Sequence, residues 1–260
     1  MKSEKNQSND RSVPTTYDAW PSWWRAKIGL ILPSVDLETP GEFQMVVPKG
    51  VALLHTRIML KETTPEQLKK SGEEVLYSAE LLATTNPDVI SYNCTSGVMI
   101  KGPEYEQELM QKIEEVSGAK ATSMALSVAK AFESLGVKRF LAVCPYVEEI
   151  VEAEKRYFKS FGYETALTES MKIPYPLTVM ARSPWENYRF TLDAFAKAPD
   201  VDAILIACGA LRTFEIIEAL EEATGKPVVS SNLCSAWMCL KLAGVKQAIN
   251  GFGSLLARER

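Results

Sequence analysis

The chain has 260 residues and a single histidine, His55. A Ser-His or Cys-His pair therefore has one base to draw on, and His-rich zinc sites lack their ligands. No CxxC pair stands in for them. The cysteines number five, an odd count that does not spell a disulfide framework, so reduced thiols and a cytoplasmic location are expected. No apolar window approaches the ~18 residues that a membrane span needs. The opening stretch, MKSEKNQSNDRSVPTTYDAW, has no apolar core of a signal peptide. A net charge of only −4 leaves no electrostatic footprint for nucleic acid. GxGxxG and P-loop spacings are missing, as is a lysine in a phosphate-pocket setting. No cofactor, no metal, no nucleic acid and no membrane are therefore expected as partners.

What is present is an ordinary globular composition, 46% apolar and 24% charged, with enough chain for one large domain or two small lobes. Residues 1–24 read as a polar arm ending in Trp20, Trp23 and Trp24. Beyond it, short apolar runs alternate with amphipathic stretches, the pattern of parallel βαβ units. Strands are expected at 27–32, 51–58, 88–92, 138–143, 202–207 and 227–230. Helices are expected near 65–85, 103–117, 123–135, 147–161, 186–197, 213–223 and 233–243.

The chain also repeats itself. EEVSGAKATS at 114–123 recurs as EEATGKPVVS at 221–230, each followed by a small-residue helix and a Gly-Val turn (Gly136-Val137, Gly244-Val245). Upstream, two Asp-apolar-Ile strands run into cysteines, Asp88 to Cys94 and Asp202 to Cys208. Lys27–Leu32 is matched by Lys138–Val143. Three matched elements in the same order predict an α/β fold of two pseudo-symmetric lobes, each a parallel sheet flanked by helices. The lobes are placed at approximately 25–135 and 136–245 within one catalytic unit of 25–260, with helices exchanged between them.

In open α/β sheets, ligands bind beyond the carboxyl ends of the strands. Each half places a cysteine there: Cys94 before Thr95-Ser96-Gly97, and Cys208 before Gly209-Ala210. Free N–H groups at such turns hold anions and favour thiolates. A buried structural cysteine is the bland reading of either one, but two at equivalent places of a repeat point to function. Cys144 matches Pro33 in the repeat and reads as structural, as do Cys234 and Cys239 beside Trp237. Two facing thiols suit racemisation, one removing a proton while the other delivers one. They equally suit cis-trans isomerisation by addition of a thiolate, rotation and elimination. A decarboxylase needs one thiol only.

With Ile28-Gly29-Leu30-Ile31-Leu32-Pro33-Ser34, Asn93-Cys94-Thr95-Ser96-Gly97, Pro145-Tyr146, Ala207–Thr213 and Pro227–Asn232, the chain resembles the aspartate/glutamate racemase superfamily. Within it, the similarity is to the branch of maleate cis-trans isomerase and arylmalonate decarboxylase, from about residue 26 to the C-terminus. The resemblance implies an active site in the cleft between lobes, with Cys94 as nucleophile or base and Cys208 as acid/base. It implies that Tyr146 donates to a substrate carboxylate and that Thr95, Ser96, Gly209 and Ala210 complete an anion cradle. Ser34, Asp36 and Asn93 join them as candidate substrate-binding residues. Decarboxylases of the branch carry glycine at the first cysteine position, so both thiols favour an isomerase or racemase. Asp36 departs from the asparagine of maleate isomerases, and the segment Ile173–Leu177 lacks their second asparagine. An ionised Asp36 would repel a dianion by on the order of a few kcal/mol and would suit an amino group or a donor-bearing mono-acid.

A malonate-type decarboxylase using Cys208 and a non-catalytic two-lobed carboxylate-binding protein are the alternatives. In each case the partner is a small carboxylic acid. A homodimer or higher homo-oligomer is the default assembly. Arg212 reads as a solvent-facing residue at a helix start or as a carboxylate clamp. His55 reads as structural, and Trp185 with Tyr188 as helix packing or a lid.

Overall fold

A computed structural model describes residues 23–62, 64–70 and 72–258. The arm through residue 22, Trp20 included, lies outside the described residues. In chain order the strands are β1 Ala26–Pro33, β2 Val51–Ile58, β3 Val89–Tyr92, β4 Lys120–Ser123, β5 Arg139–Cys144, β6 Glu164–Ser170, β7 Ala203–Ile206 and β8 Val228–Ser230. The helices are α1 Glu38–Val46, α2 Pro65–Lys70, α3 Gly72–Ala83, α4 Thr95–Met99, α5 Pro103–Ser117, α6 Met124–Leu135, α7 Glu148–Ser160, α8 Pro176–Met180, α9 Pro184–Lys197, α10 Ile217–Thr224 and α11 Ser231–Leu242.

The strands form two parallel four-stranded sheets, ordered β2-β1-β3-β4 and β6-β5-β7-β8. One order maps onto the other by adding four to each strand number, so the internal repeat is a repeat of whole sheets. The central strands β1, β3, β5 and β7 are buried almost throughout. Their unbroken apolar runs suit parallel sheets covered on both faces. Equivalent serines begin equivalent helices: Ser123 Oγ accepts from Leu126 N–H and Ser230 Oγ from Leu233 N–H, capping α6 and α11. A capping box, Ser183 with Glu186, starts α9.

Each lobe's last helix reaches into the other lobe. The Phe132 ring of α6 packs at a tilt 4.8 Å from Phe140 of β5 and 5.8 Å from Phe158 of α7. Ser235 of α11 donates to Asn93 Oδ1, just past β3. Helices α6 and α11 also pack on each other. The first turn of α11 thereby stands at the junction of the lobes, where the carboxyl ends of both sheets meet.

Two strands and three helices are not expected from the sequence, and one expected helix is divided. β6 (ETALTES) has no apolar run because it is a half-exposed edge strand, and β4 is four residues long. Helix α1 contains Pro40 and Gly41, yet it forms because Phe43 and Val46 are buried beneath it. Pro40 sits in its first turn, where its missing N–H breaks no helical bond. The expected helix at 65–85 is split into α2 and α3. α4 and α8 are single turns too short to show periodicity.

Candidate active site

The two cysteine turns converge on one pocket between the lobes. It is lined by Pro33, Val35, Asp36, Leu60, Asn93, Cys94, Thr95, Ser96, Tyr146, Pro176, Cys208, Gly209 and Ala210. Its empty space, part of it open to solvent, is about 400 Å³. Every candidate substrate-binding residue except Ser34 lies on its wall. Ser34 is turned away, its hydroxyl donating to the Leu60 carbonyl at 3.1 Å, because the chain past β1 is pinned to the start of the loop after β2.

Cys94 N-caps α4 with extended backbone. The N–H of Gly97 and the hydroxyls of Tyr92 and Ser96 reach its sulphur and favour the thiolate, but burial outweighs them and raises the pKa. Gly97 permits this approach: a Cβ there would lie 2.9 Å from Cys94 Sγ and 2.7 Å from Tyr92 Oη. Cys208 keeps partial exposure to the pocket. Burial pushes its thiol up to about 12, against the pull of the Ala210 N–H and the Tyr146 phenol, with an ionised Asp36 and Cys94 acting in the same upward direction. The expectation that turn N–H groups lower these pKa values is therefore corrected. The N–H groups are in place, but desolvation of a buried thiolate is the larger effect. Burial thus favours the thiol over the thiolate at both cysteines.

Cys208 holds φ at +126°, a region that L-residues avoid. Its N–H donates to Ser231 Oγ at 3.1 Å, and Thr95 Oγ1 donates to the same oxygen at 3.2 Å. One hydroxyl at the start of α11 thus joins the two cysteine turns.

Two buried donors on the pocket wall have no partner. Ser91 and Ser235 both donate to Asn93 Oδ1, at 2.6 and 2.8 Å. With the amide in this orientation, Asn93 Nδ2 is left unbonded. Tyr146 Oη lies beside the Cys208 sulphur but makes no well-aligned hydrogen bond. Orphaned buried donors are costly, and each is free to donate to an acceptor in the pocket.

Asp36 sits on the same wall, 5% exposed. Its Oδ1 accepts from the N–H groups of Glu38 and Thr39, at 3.1 and 3.0 Å, capping α1. Arg57 of β2 clasps the Pro33, Ser34 and Asp36 carbonyls at 3.1, 3.2 and 2.7 Å. Behind Asp36, buried Glu42 of α1 accepts from Thr213 N–H, Phe214 N–H, Thr213 Oγ1 and Asn232 Nδ2. This ties the loop after Cys208 to the other lobe. Burial pushes the Glu42 carboxyl up to about 7.

Sequence reasoning did not assign Tyr92, Arg57, Thr39, Glu42 or Ser231 to the site, nor the apolar wall of Val35, Leu60 and Pro176. Ser231 and Asn232 belong to a segment that carries the resemblance, and that was the signal available for them. Three other readings fall outside the pocket. Arg212 pairs with Glu215 at 2.8 Å and Glu38 at 3.8 Å. His55 is exposed on edge strand β2. Trp185 is stacked on Tyr188 at 5.2 Å and is 63% exposed. Among the described residues no group of three or more His, Cys, Asp or Glu could hold a metal ion, and no helix is long and apolar enough to cross a membrane.

Two parallel α/β lobes, with a cysteine at the equivalent strand end of each and one pocket between, define a two-lobed fold of the Asp/Glu racemase type. Comparison with known proteins narrows this. The family model described as arylmalonate decarboxylase matches residues 28–256, and the chain belongs to that family. It is 28% identical over 230 residues to arylmalonate decarboxylase of Bordetella bronchiseptica, covering 88% of this chain and 95% of the relative. It is 25% identical over 244 residues to maleate isomerase of Geobacillus stearothermophilus, covering 89% and 97%. Among solved structures, the fold matches the maleate isomerase Iso of Pseudomonas putida S16 with a TM-score of 0.83, at 24% identity and over 89% and 98% of the two chains. The crystal structure of an arylmalonate decarboxylase aligns with a TM-score of 0.78, at 25% identity and over 88% and 98%.

Proposed function

We propose that the chain is a cofactor-independent two-cysteine isomerase or racemase of a small carboxylic acid. The observation that carries this reading is the presence of two thiols, Cys94 and Cys208, one from each lobe, on the wall of one pocket. Asn93 Nδ2 and Tyr146 Oη, donors without acceptors, would hold the substrate carboxylate, with Thr95, Ser96 and the Gly209-Ala210 turn around it. Burial favours the thiol form of both cysteines, so Cys94 must first release its proton to solvent, once, before the thiolate begins to cycle. In cis-trans isomerisation its thiolate then adds to one alkene carbon while Cys208 delivers its proton to the other. The single bond so formed rotates, and the reverse steps expel Cys94 and return the proton to Cys208. In racemisation Cys94 removes the α-proton and Cys208 protonates the opposite face.

The second reading is a malonate-type decarboxylase. The family membership favours it, as does the apolar wall of Val35, Leu60 and Pro176, which would seat a non-polar substituent better than a second carboxylate. In that case the carbon–carbon bond to one carboxylate breaks, CO2 departs with its oxygens, and Cys208 protonates the carbanion. Cys94 is then dispensable.

Proton NMR of a panel of unsaturated, α-substituted and malonate-type acids in D2O separates these readings. The expected result is geometric conversion or α-deuteration by the wild type, abolished by both Cys94→Ala and Cys208→Ala. CO2 loss that survives Cys94→Ala and vanishes in Cys208→Ala would overturn the isomerase reading in favour of the decarboxylase.

A further inference from the structure

The Thr39 hydroxyl faces a shortage of protons. Its Oγ1 lies 2.6 Å from Asp36 Oδ2 and 2.9 Å from Asn232 Oδ1. A hydroxyl has one proton and can donate to only one of them. The Asn232 amide cannot be reversed to help, because its Nδ2 is 3.0 Å from the Gly209 carbonyl, which only accepts, and 2.6 Å from Glu42 Oε2. With Asp36 ionised, one of the two contacts would be two oxygens pressed together with no hydrogen between them. The other Asp36 oxygen offers no relief, since two backbone N–H groups already occupy it.

We propose that Asp36 is held as a neutral carboxylic acid whose Oδ2–H donates to Thr39 Oγ1. Thr39 donates in turn to Asn232 Oδ1, and Asn232 to Gly209 O and Glu42. The relay then has one proton for every contact, and it runs from the pocket wall to the turn that carries Cys208. Gly209 is packed against it: a Cβ there would lie 2.9 Å from Thr39 Oγ1 and 3.4 Å from Asp36 Oδ2.

The surroundings agree. Burial raises the Asp36 pKa more than its hydrogen bonds and Arg57 lower it. Arg57 faces it from β2, with three carbonyls already on the guanidinium. Glu38 stands at the start of α1 beside it, and Glu42 beyond Asn232. Cys94 and Cys208 face it from the two cysteine turns, and an ionised Asp36 would raise both of their pKa values. A neutral Asp36 spares the thiolate and the bound carboxylate that repulsion. It also withholds the counter-charge that an ammonium group would need, so the site selects carboxylic acids without an amino group. This selectivity rests on the proposed function; the protonation state of Asp36 does not.

The decisive test uses the substrate-free protein. An infrared difference spectrum of wild type minus Asp36→Asn, taken at neutral pH, is expected to show the carbonyl stretch of one protonated carboxylic acid. That band is expected to shift in Thr39→Val, which removes its acceptor and gives a second reading if the asparagine variant fails to fold. Carboxylate bands in that difference, or a band unmoved by Thr39→Val, would overturn the proposal. A second measurement is the rate of iodoacetamide alkylation of Cys94 and Cys208 against pH. The asparagine amide can donate to Thr39 as the acid does, so the ratio of variant to wild-type rates should start near one and grow only as Asp36 ionises. A ratio already several-fold at the most acidic pH, and flat thereafter, would mean that Asp36 is charged throughout. Neither readout needs turnover, so failure of the isomerase reading would leave this test standing.

Discussion

Glu154 of α7 is completely buried, and neither of its carboxyl oxygens has a hydrogen-bond partner. Burial pushes its pKa from 4.5 to about 8. The folded protein therefore keeps a proton that the unfolded chain releases once pH exceeds the usual carboxyl range. A raised acid of this kind costs nothing below the unfolded pKa, and stability is lost as pH climbs toward the folded value. At neutral pH the loss is on the order of 3 kcal/mol, growing by about 1.4 kcal/mol per pH unit across the window from about 5 to 8. Glu154→Gln removes the titration while nearly keeping the shape. Its stability relative to wild type should rise by that slope through the window and level off above about pH 8. Urea unfolding at a series of pH values, with equal m-values in both proteins, measures this directly. Glu42 also titrates with a raised pKa, but it is present in both proteins and drops out of the difference. A pH-independent difference, or one that falls as pH rises, would refute the reasoning.

Two further outcomes follow from backbone geometry. At Cys208 the positive φ costs on the order of 1–3 kcal/mol. Cys208→Gly should therefore be more stable than Cys208→Ala by about 1 kcal/mol or more, and an alanine variant of greater stability in urea melts would remove the strain argument. Gly97→Ala should cost about 1–3 kcal/mol through overpacking. By displacing the Tyr92 hydroxyl and the Gly97 N–H from the Cys94 sulphur, it should also slow iodoacetamide labelling of Cys94, read by mass spectrometry. Unchanged labelling would mean that these groups do not activate the thiol.

Local sequence determined a good deal here, because the features concerned are local. The runs at 27–32, 138–143 and 202–207 are strands because a fully covered parallel strand needs unbroken apolar side chains. The period of the 103–117 stretch reproduces α5, since one stripe of it faces a sheet. The internal repeat announced paired sheets, and small residues after Cys94 and Cys208 announced turns at strand ends. What the chain could not announce is anything settled by contacts between distant segments. β6 is a strand because β5 offers it a free edge, although its own residues are polar. α1 is a helix in spite of Pro40 and Gly41, because Asp36 caps it and the core accepts Phe43. The charge states were out of reach for the same reason. Turn N–H groups beside Cys94 and Cys208 suggest thiolates, and an aspartate at position 36 suggests an anion. Burial is a sum over neighbours from both lobes, and it reverses the first and opposes the second. The sequence named the two cysteines; the meeting of the two lobes buries them and so favours the thiol at both, and it sets Thr39 of one lobe between Asp36 and Asn232 of the other.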